Sequence, residues 1–271
     1  WNCPLAILCG MTVAGLVTGN SVIMKPAEQS AVIGAHLFRI LQEAGAPPDV
    51  LQFLPGRGEV VGKTLVESPE VDVIAFTGSM QVGLYILESS GKTLPGQRNV
   101  KRAIVEMGGK NAIIVDGDAD LDEAVQGVLG SAFGYAGQKC SAASRVIVVE
   151  EAYALFAQRL AAAVKDLIVG DPSHPSCVVP PVIDVDAQQR LLRQIGEFKK
   201  SLTLLAEREL PAGLQGCYVP PTVFTDVPPD HALGQEELFG PVLAVLRAKD
   251  FDDAIRIANS TRYALTGAVF S

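Results

Sequence analysis

Apolar and polar positions along residues 21–109 switch repeatedly between two periods. The short apolar runs SVIMKP, VLQFLPG, VDVIAFTG and RAIVEMGG are bounded by Pro or Gly and read as strands. Between the first two, SAVIGAHLFRILQEAGAPP places Ile33, Leu37, Ile40, Leu41 and Ala44 at helical spacing and stops at Gly45 and two prolines. GEVVGKTLVES reads as a short helix, and SMQVGLYILESSG as a helix opened by Ser79, a good N-cap. After Gly109 the alternation resumes with the strand NAIIVD. The helix pattern ADLDEAVQGVLGSAFGYAG follows, with Leu121, Ala124, Val125, Val128, Leu129 and Ala132 on one face. It delivers the chain to Cys140 and then to the strand SRVIVVE. Another strand–helix set runs to the end, broken by the Pro-rich GDPSHPSCVVPPV, and the closing LTGAVFS reads as a buried strand.

Strands alternating with helices imply βαβ units and a parallel sheet covered on both faces. The expected fold class is α/β with a Rossmann-like arrangement. Two adjacent glycines separate the two strand series, so the expected lobes are residues 1–108 and 109–271. No internal repeat or low-complexity tract interrupts them. The chain opens at WNCPLAI without a start Met and stops inside a strand pattern, which reads as a fragment truncated at both ends.

Composition narrows the function classes. Hydrophobic residues make up 48% and charged residues 19% of the 271 positions, a globular balance. The formal net charge of −8, without a dense Lys/Arg stripe, argues against nucleic acid and anionic membranes as partners. No apolar run reaches the ~18 residues that span a bilayer, and no leader with a basic start and cleavage site is expected. The five cysteines (3, 9, 140, 177 and 217) form no CxxC pair, and with three isolated histidines they offer no zinc spacing, so no metal is expected. Free thiols suit a reducing cytoplasm.

Several stretches could carry chemistry. Cys140, in GYAGQKCSAASR, is on that stretch alone either a small core residue or a nucleophile. GRGEVVGKT misses the P-loop spacing by one residue and fits only a loose G-x-G-x-x-x-G. FTGSMQVG sits at a strand-to-helix switch, where Gly78 and Ser79 would present N–H groups and a hydroxyl to an anion, or Ser79 would simply cap the helix. Lys25 ends a strand at the carboxyl edge of the sheet, where ligands of open α/β sheets bind, and Glu28 follows within one turn.

Taken in order, WNCPL, GNSVIMKPAEQS, FTGSMQVG, EMGGKNA, GQKCSAASR and EELFGPV resemble the NAD(P)-dependent aldehyde dehydrogenases, across the whole chain. LPGQRNVKRAIVEMGGKNAIIVD, GYAGQKCSAASR and GCYVPPTVFTDVPP look most like the glutamate-semialdehyde branch. Its members are Δ1-pyrroline-5-carboxylate dehydrogenases, free-standing or as the second half of bifunctional proline-utilisation proteins. The resemblance implies Cys140 as nucleophile towards an aldehyde carbon, and the Asn2 side-chain amide with the Cys140 backbone N–H as oxyanion donors. It implies Glu106 as the base that activates water for thioester hydrolysis, placed between apolar walls that would raise its pKa. For the cofactor it implies Lys25 and Glu28 at the adenosine ribose, Gly78–Ser79 at the pyrophosphate, Glu237 at the nicotinamide ribose and Phe239 beside it. The acidic Glu28 would repel a 2′-phosphate, so NAD is expected rather than NADP. Ser141 and Cys3 would face the substrate.

One departure stands out: the residue after the oxyanion Asn is usually Phe in this branch and here is Cys3, which removes an aromatic wall from the pocket. The resemblance also implies that the first strand of the cofactor lobe precedes Trp1, and that the loop gripping the substrate carboxylate and the elements that pair subunits follow Ser271. A homo-oligomeric whole protein, and fusion to or channelling with a proline dehydrogenase, go with it. Two other readings are a dehydrogenase for another aldehyde, for which Cys3 is the argument, and a catalytically inert nucleotide-fold fragment.

Overall fold

The computed structural model describes Trp1 and residues 3–271. The chain divides into two compact units, Trp1–Met107 and Gly108–Ser271.

In the first unit α1 (Ala6–Val17) leads into β1 (Val22–Met24), then α2 (Ala31–Glu43) and β2 (Leu51–Phe53). A single π-helical turn, Gly58–Gly62, opens α3 (Lys63–Glu67); β3 (Val73–Thr77), α4 (Met80–Ser90) and β4 (Arg102–Glu106) follow. All pairing is parallel, as the alternation predicts. The strands form two ribbons, β1–β2 and β3–β4, rather than one continuous sheet. In these ribbons Ile23, Val73 and Ile104 are exposed.

The small core here is Met24, Leu37 and Leu51, with Leu8, Phe38, Leu41 and Phe53 packed around it. The buried face of α2 is turned from the expected stripe: Gly34 and Leu37 are buried while Ile33 and Ile40 are exposed. Gly34 decides this. A Cβ there would stand 3.1 Å from the Phe53 ring, 3.1 Å from Pro26 and 3.3 Å from Leu8, so the bare backbone admits that contact.

The second unit is built on a six-stranded sheet. Its elements are β5 (Asn111–Val115), α5 (Leu121–Phe133), β6 (Ala143–Val149), α6 (Glu150–Lys165), α7 (Val185–Ser201), β7 (Thr203–Glu207), β8 (Thr222–Thr225), α8 (Ala232–Gln235), β9 (Val242–Ala248), α9 (Phe251–Ala258) and β10 (Gly267–Phe270). The strand order is β10-β5-β6-β9-β8-β7, parallel except for the antiparallel edge pair β7–β8. Continuous apolar runs such as NAIIV and VLAVLRA suit strands covered on both faces, and β5, β6 and β9 are almost wholly buried. The last strand, β10, pairs in parallel with β5, and Gly267, Ala268 and Val269 are exposed.

Between α5 and β6 the helix pattern ends early. After Phe133 the chain makes a tight turn in which Tyr135 (φ 60°), Ala136 (φ 54°) and Gly137 (φ 66°) are all left-handed. A Cβ at Gly137 would stand 2.4 Å from the Gly240 carbonyl oxygen, so glycine is required there by packing as well as by conformation. Among the described residues no helix is long and apolar enough to cross a membrane.

Candidate active site

Within Trp1–Met107 the residues expected at the adenosine ribose stand together where β1 ends. Lys25 Nζ donates to the Pro26 carbonyl at 3.0 Å and lies 3.7 Å from Glu28 Oε1. The same Glu28 oxygen accepts the Gly58 N–H at 2.6 Å. Partial desolvation pushes the Glu28 carboxyl up, but the backbone N–H groups of Glu28 and Gly58, with Lys25, outweigh it and hold it below the usual carboxylate range. The loose glycine motif therefore belongs to this cluster: its Gly58 N–H seats the carboxylate, and Gly62 leaves Lys25 Cε room at 4.0 Å from where a Cβ would be. The sequence pattern supplied the glycines but not their target, thirty residues upstream.

Gly78 and Ser79 join β3 to α4 and are exposed. The Ser79 hydroxyl accepts the Val82 N–H at 3.4 Å, so it caps the helix as its position predicts. The Gly78 N–H donates to the Glu106 carbonyl at 3.0 Å, extending the β3–β4 ladder. Gly78 also has a packing reason, since a Cβ there would fall 2.4 Å from the Phe76 ring. Glu106 ends β4 with its side chain exposed. Cys3 is exposed. Asn2 lies outside the described residues.

Within Gly108–Ser271, Cys140 is exposed, on the loop between the left-handed turn and β6. Asn111, buried at the start of β5, holds this loop: its Nδ2 donates to the carbonyls of Cys140 at 2.7 Å and Ala142 at 2.9 Å, while its Oδ1 accepts the Thr266 N–H at 3.0 Å. Gln138, also buried, accepts the Ile183 N–H at 3.0 Å and braces the other side of the turn. Ser141 is exposed, its carbonyl meeting the Thr266 hydroxyl at 3.5 Å. Neither Asn111 nor Gln138 stood out in the sequence as more than part of a motif. An amide next to a glycine pair, opening a wholly apolar strand, was the available signal.

Glu237 is half-buried, and its Oε1 accepts the Gly109 N–H at 3.0 Å. Its carboxylate fills the space over Gly108, where a Cβ would lie 1.9 Å from Oε2. Burial pushes the Glu237 carboxyl up; the Gly109 N–H, Lys110 and Arg190 offset part of that. Phe239 follows in a left-handed conformation (φ 56°), costly for a non-glycine residue. The segment is pinned from α7, where Arg190 donates to the Leu238 carbonyl at 2.8 Å and Leu191 packs where Gly240 lacks a side chain. Gly109, Gly137, Lys139, Ser144, Glu237 and Phe239 line a concavity of about 290 Å³, counting its open mouth. It brings the Glu237–Phe239 segment alongside the Cys140 loop.

The two sets of groups, carboxylate over a bare glycine backbone in one unit and a Lys–Glu pair beside a glycine turn in the other, suit ligands that present hydroxyl groups. Comparison with known proteins supplies the family. The model of the aldehyde dehydrogenase family matches residues 1–271. Over all 271 residues the chain is 48% identical to 1-pyrroline-5-carboxylate dehydrogenase of Geobacillus sp. (strain WCH70) and 43% identical to that of Bacillus subtilis (strain 168), covering 52% of each. Among solved structures it is similar to proline utilization A from Bdellovibrio bacteriovorus inactivated by N-propargylglycine (TM-score 0.97, 54% identity, 100% of this chain and 28% of that one). It is also similar to the Thermus 1-pyrroline-5-carboxylate dehydrogenase with bound NAD (TM-score 0.95, 48% identity, 100% of this chain and 52% of that one). The chain spans about half the length of the curated relatives it matches.

Proposed function

The chain belongs to the aldehyde dehydrogenase family, and from that premise we propose that the protein it represents oxidises L-glutamate γ-semialdehyde to L-glutamate with NAD. The observation that carries the reading is Cys140: an exposed thiol on a loop whose backbone is fixed by a buried amide. A cysteine held for packing alone would be buried.

In this reading the Cys140 thiolate attacks the aldehyde carbon, forming a C–S bond and an oxyanion. The Cys140 N–H and, from the resemblance, the Asn2 amide donate to that oxygen. When bound, the nicotinamide cofactor accepts a hydride, the chemistry it supplies. Glu106 takes the proton of the water that attacks the resulting thioester; the C–S bond breaks and the thiolate leaves with its electron pair. An exposed Glu106 is reachable by water without rearrangement of its strand.

The residues present fit NAD. Lys25 and Glu28 hold hydroxyls of the adenosine ribose, with Glu28 already ionised in a seat that a 2′-phosphate would repel. Gly78 and Ser79 meet the pyrophosphate, Glu237 holds the nicotinamide ribose, and Phe239 packs beside it. Ser141 and Cys3 face the aldehyde. The similarity to 1-pyrroline-5-carboxylate dehydrogenases supports the semialdehyde. Likeness to proline utilization A supports a fusion to proline dehydrogenase, and we place the protein as a homo-oligomer in the cytoplasm, where its five free thiols are stable.

The test is NADH formation by the intact protein with the semialdehyde and with acetaldehyde and succinate semialdehyde as competitors. The highest kcat/KM on glutamate γ-semialdehyde, abolished by Cys140→Ser, is expected. Preference for another aldehyde would overturn the substrate, and activity retained by Cys140→Ser would overturn the chemistry.

A further inference from the structure

Asn111 opens β5, a strand otherwise made of Ala, Ile and Val, and it is 5% exposed. A buried amide is costly unless its hydrogen bonds are made, so a position needing only volume would carry another apolar residue. Here three are made, to Cys140 and Ala142 from Nδ2 and from Thr266 to Oδ1. The amide has one orientation, because the two carbonyls can only accept and the Thr266 N–H can only donate.

Its partners belong to one small loop. The Ala142 N–H donates to the Lys139 carbonyl at 3.1 Å, so Lys139–Ala142 is a turn with Cys140 at its second position. Asn111 takes the carbonyls of the second and fourth residues of that turn, while the Cys140 thiol is exposed. Thr266, the residue before β10, anchors the oxygen of the same amide. Gly109 makes room for the arrangement: a Cβ there would stand 2.7 Å from Asn111 Oδ1 and 3.0 Å from both Asn111 Nδ2 and the Cys140 carbonyl oxygen. The second glycine of the pair thus clears the amide, as the first clears Glu237.

We propose that Asn111 is a positioning residue for Cys140, bracing the Lys139–Ala142 turn so that the thiol is presented in one place and one direction. The proposal rests on the reading of Cys140 as the nucleophile. The amide touches no reacting atom; it acts through the backbone that carries the thiol. A sulfur displaced by about 1 Å from its line of attack on an aldehyde carbon costs up to about 100-fold in rate.

The experiment uses the intact protein with Asn111→Leu, which keeps much of the volume, and Asn111→Ser, whose hydroxyl is too short to reach all three partners. Thr225→Val removes the buried bond between Tyr153 and Thr225 elsewhere in the same unit and is the destabilised control. All assays run well below each variant's Tm. In the cofactor-free protein, hydrogen exchange should speed up about 10-fold or more in residues 138–143 and stay at the parent rate in β6 and β9. Rapid mixing should show first-turnover NADH formation about 10- to 100-fold slower than in the parent. NAD affinity should stay within about twofold, and Thr225→Val should react at the parent rate. Parent first-turnover rates in the folded Asn111 variants, or unchanged exchange in the turn, would overturn the proposal. An equally slowed Thr225→Val would do the same, since the loss would then follow stability alone. Activity retained by Cys140→Ser overturns the nucleophile reading and this proposal together, whereas an inactive Cys140→Ser beside fully active Asn111 variants overturns this proposal alone.

Discussion

Replacing Gly108 by alanine should unseat Glu237 while leaving the fold in place. The backbone at Gly108 is not left-handed, so alanine is locally permitted. Its Cβ would lie 1.9 Å from Glu237 Oε2 and 2.4 Å from both Cδ and Oε1, whereas ordinary contact begins near 3.4 Å. The carboxylate must therefore retreat by about 1.5 Å, which breaks its 3.0 Å bond from the Gly109 N–H. The atoms that yield are the far end of a flexible side chain, so the displacement is cheaper than any backbone movement. A hydrogen bond to a charged group contributes about 1.5–3 kcal/mol, so NAD affinity should fall about 10- to 150-fold if the seated carboxylate is what grips the cofactor. Calorimetric titration of the intact protein measures this, with Tm as the fold control. Glu237→Ala should weaken binding by a similar factor, and adding Gly108→Ala to it should cost almost nothing more, because the clash then has no partner. Additive losses, or NAD affinity within about twofold of the parent in a Gly108→Ala variant of normal Tm, would refute the seat as the source of the grip.

Three further outcomes are expected. Asn111→Leu removes the buried amide that holds the Cys140 and Ala142 carbonyls and the Thr266 N–H; chemical denaturation should show a loss of about 2–4 kcal/mol, and a loss under ~1 kcal/mol would mean the loop is held otherwise. Lys110 has a folded pKa of about 7 against an ordinary 10.5, so the unfolded chain binds the extra proton between those values and stability should rise with pH across that window. Below about 7 the full cost of burying the charge is present; Lys110→Met should flatten the rise, and an unchanged slope would contradict it. Glu106→Gln in the intact protein should give one rapid burst of NADH per site and then stall, since an amide cannot accept the water proton; normal steady turnover would reassign the base.

Much of the architecture was legible because local spacing encodes it. Apolar runs bounded by Gly and Pro marked β1 to β4, and Ser79 marked the start of α4. Motif order alone carried the aldehyde dehydrogenase family, because nucleophile, glycine pair and glycine turns lie in short contiguous stretches. The buried faces were less legible. The stripe on α2 pointed to Ile33 and Ile40, yet the close approach of Phe53 and Pro26 to Gly34 turned the helix on its axis.

The site divides the same way. Sequence determined which groups exist: a thiol at 140, carboxyls at 28, 106 and 237, and glycines at 58, 78, 108 and 109. Tertiary structure decided their state. It holds the Glu28 carboxyl below the usual carboxylate range by bringing Gly58 to it across thirty residues, and it seats Glu237 on Gly109 across 128. It also buries Lys110 with no hydrogen-bond partner for its Nζ among the described residues, which nothing in EMGGKNA foretells. Protonation and accessibility depend on desolvation and on the field of groups distant in sequence, and those exist only once the chain has folded.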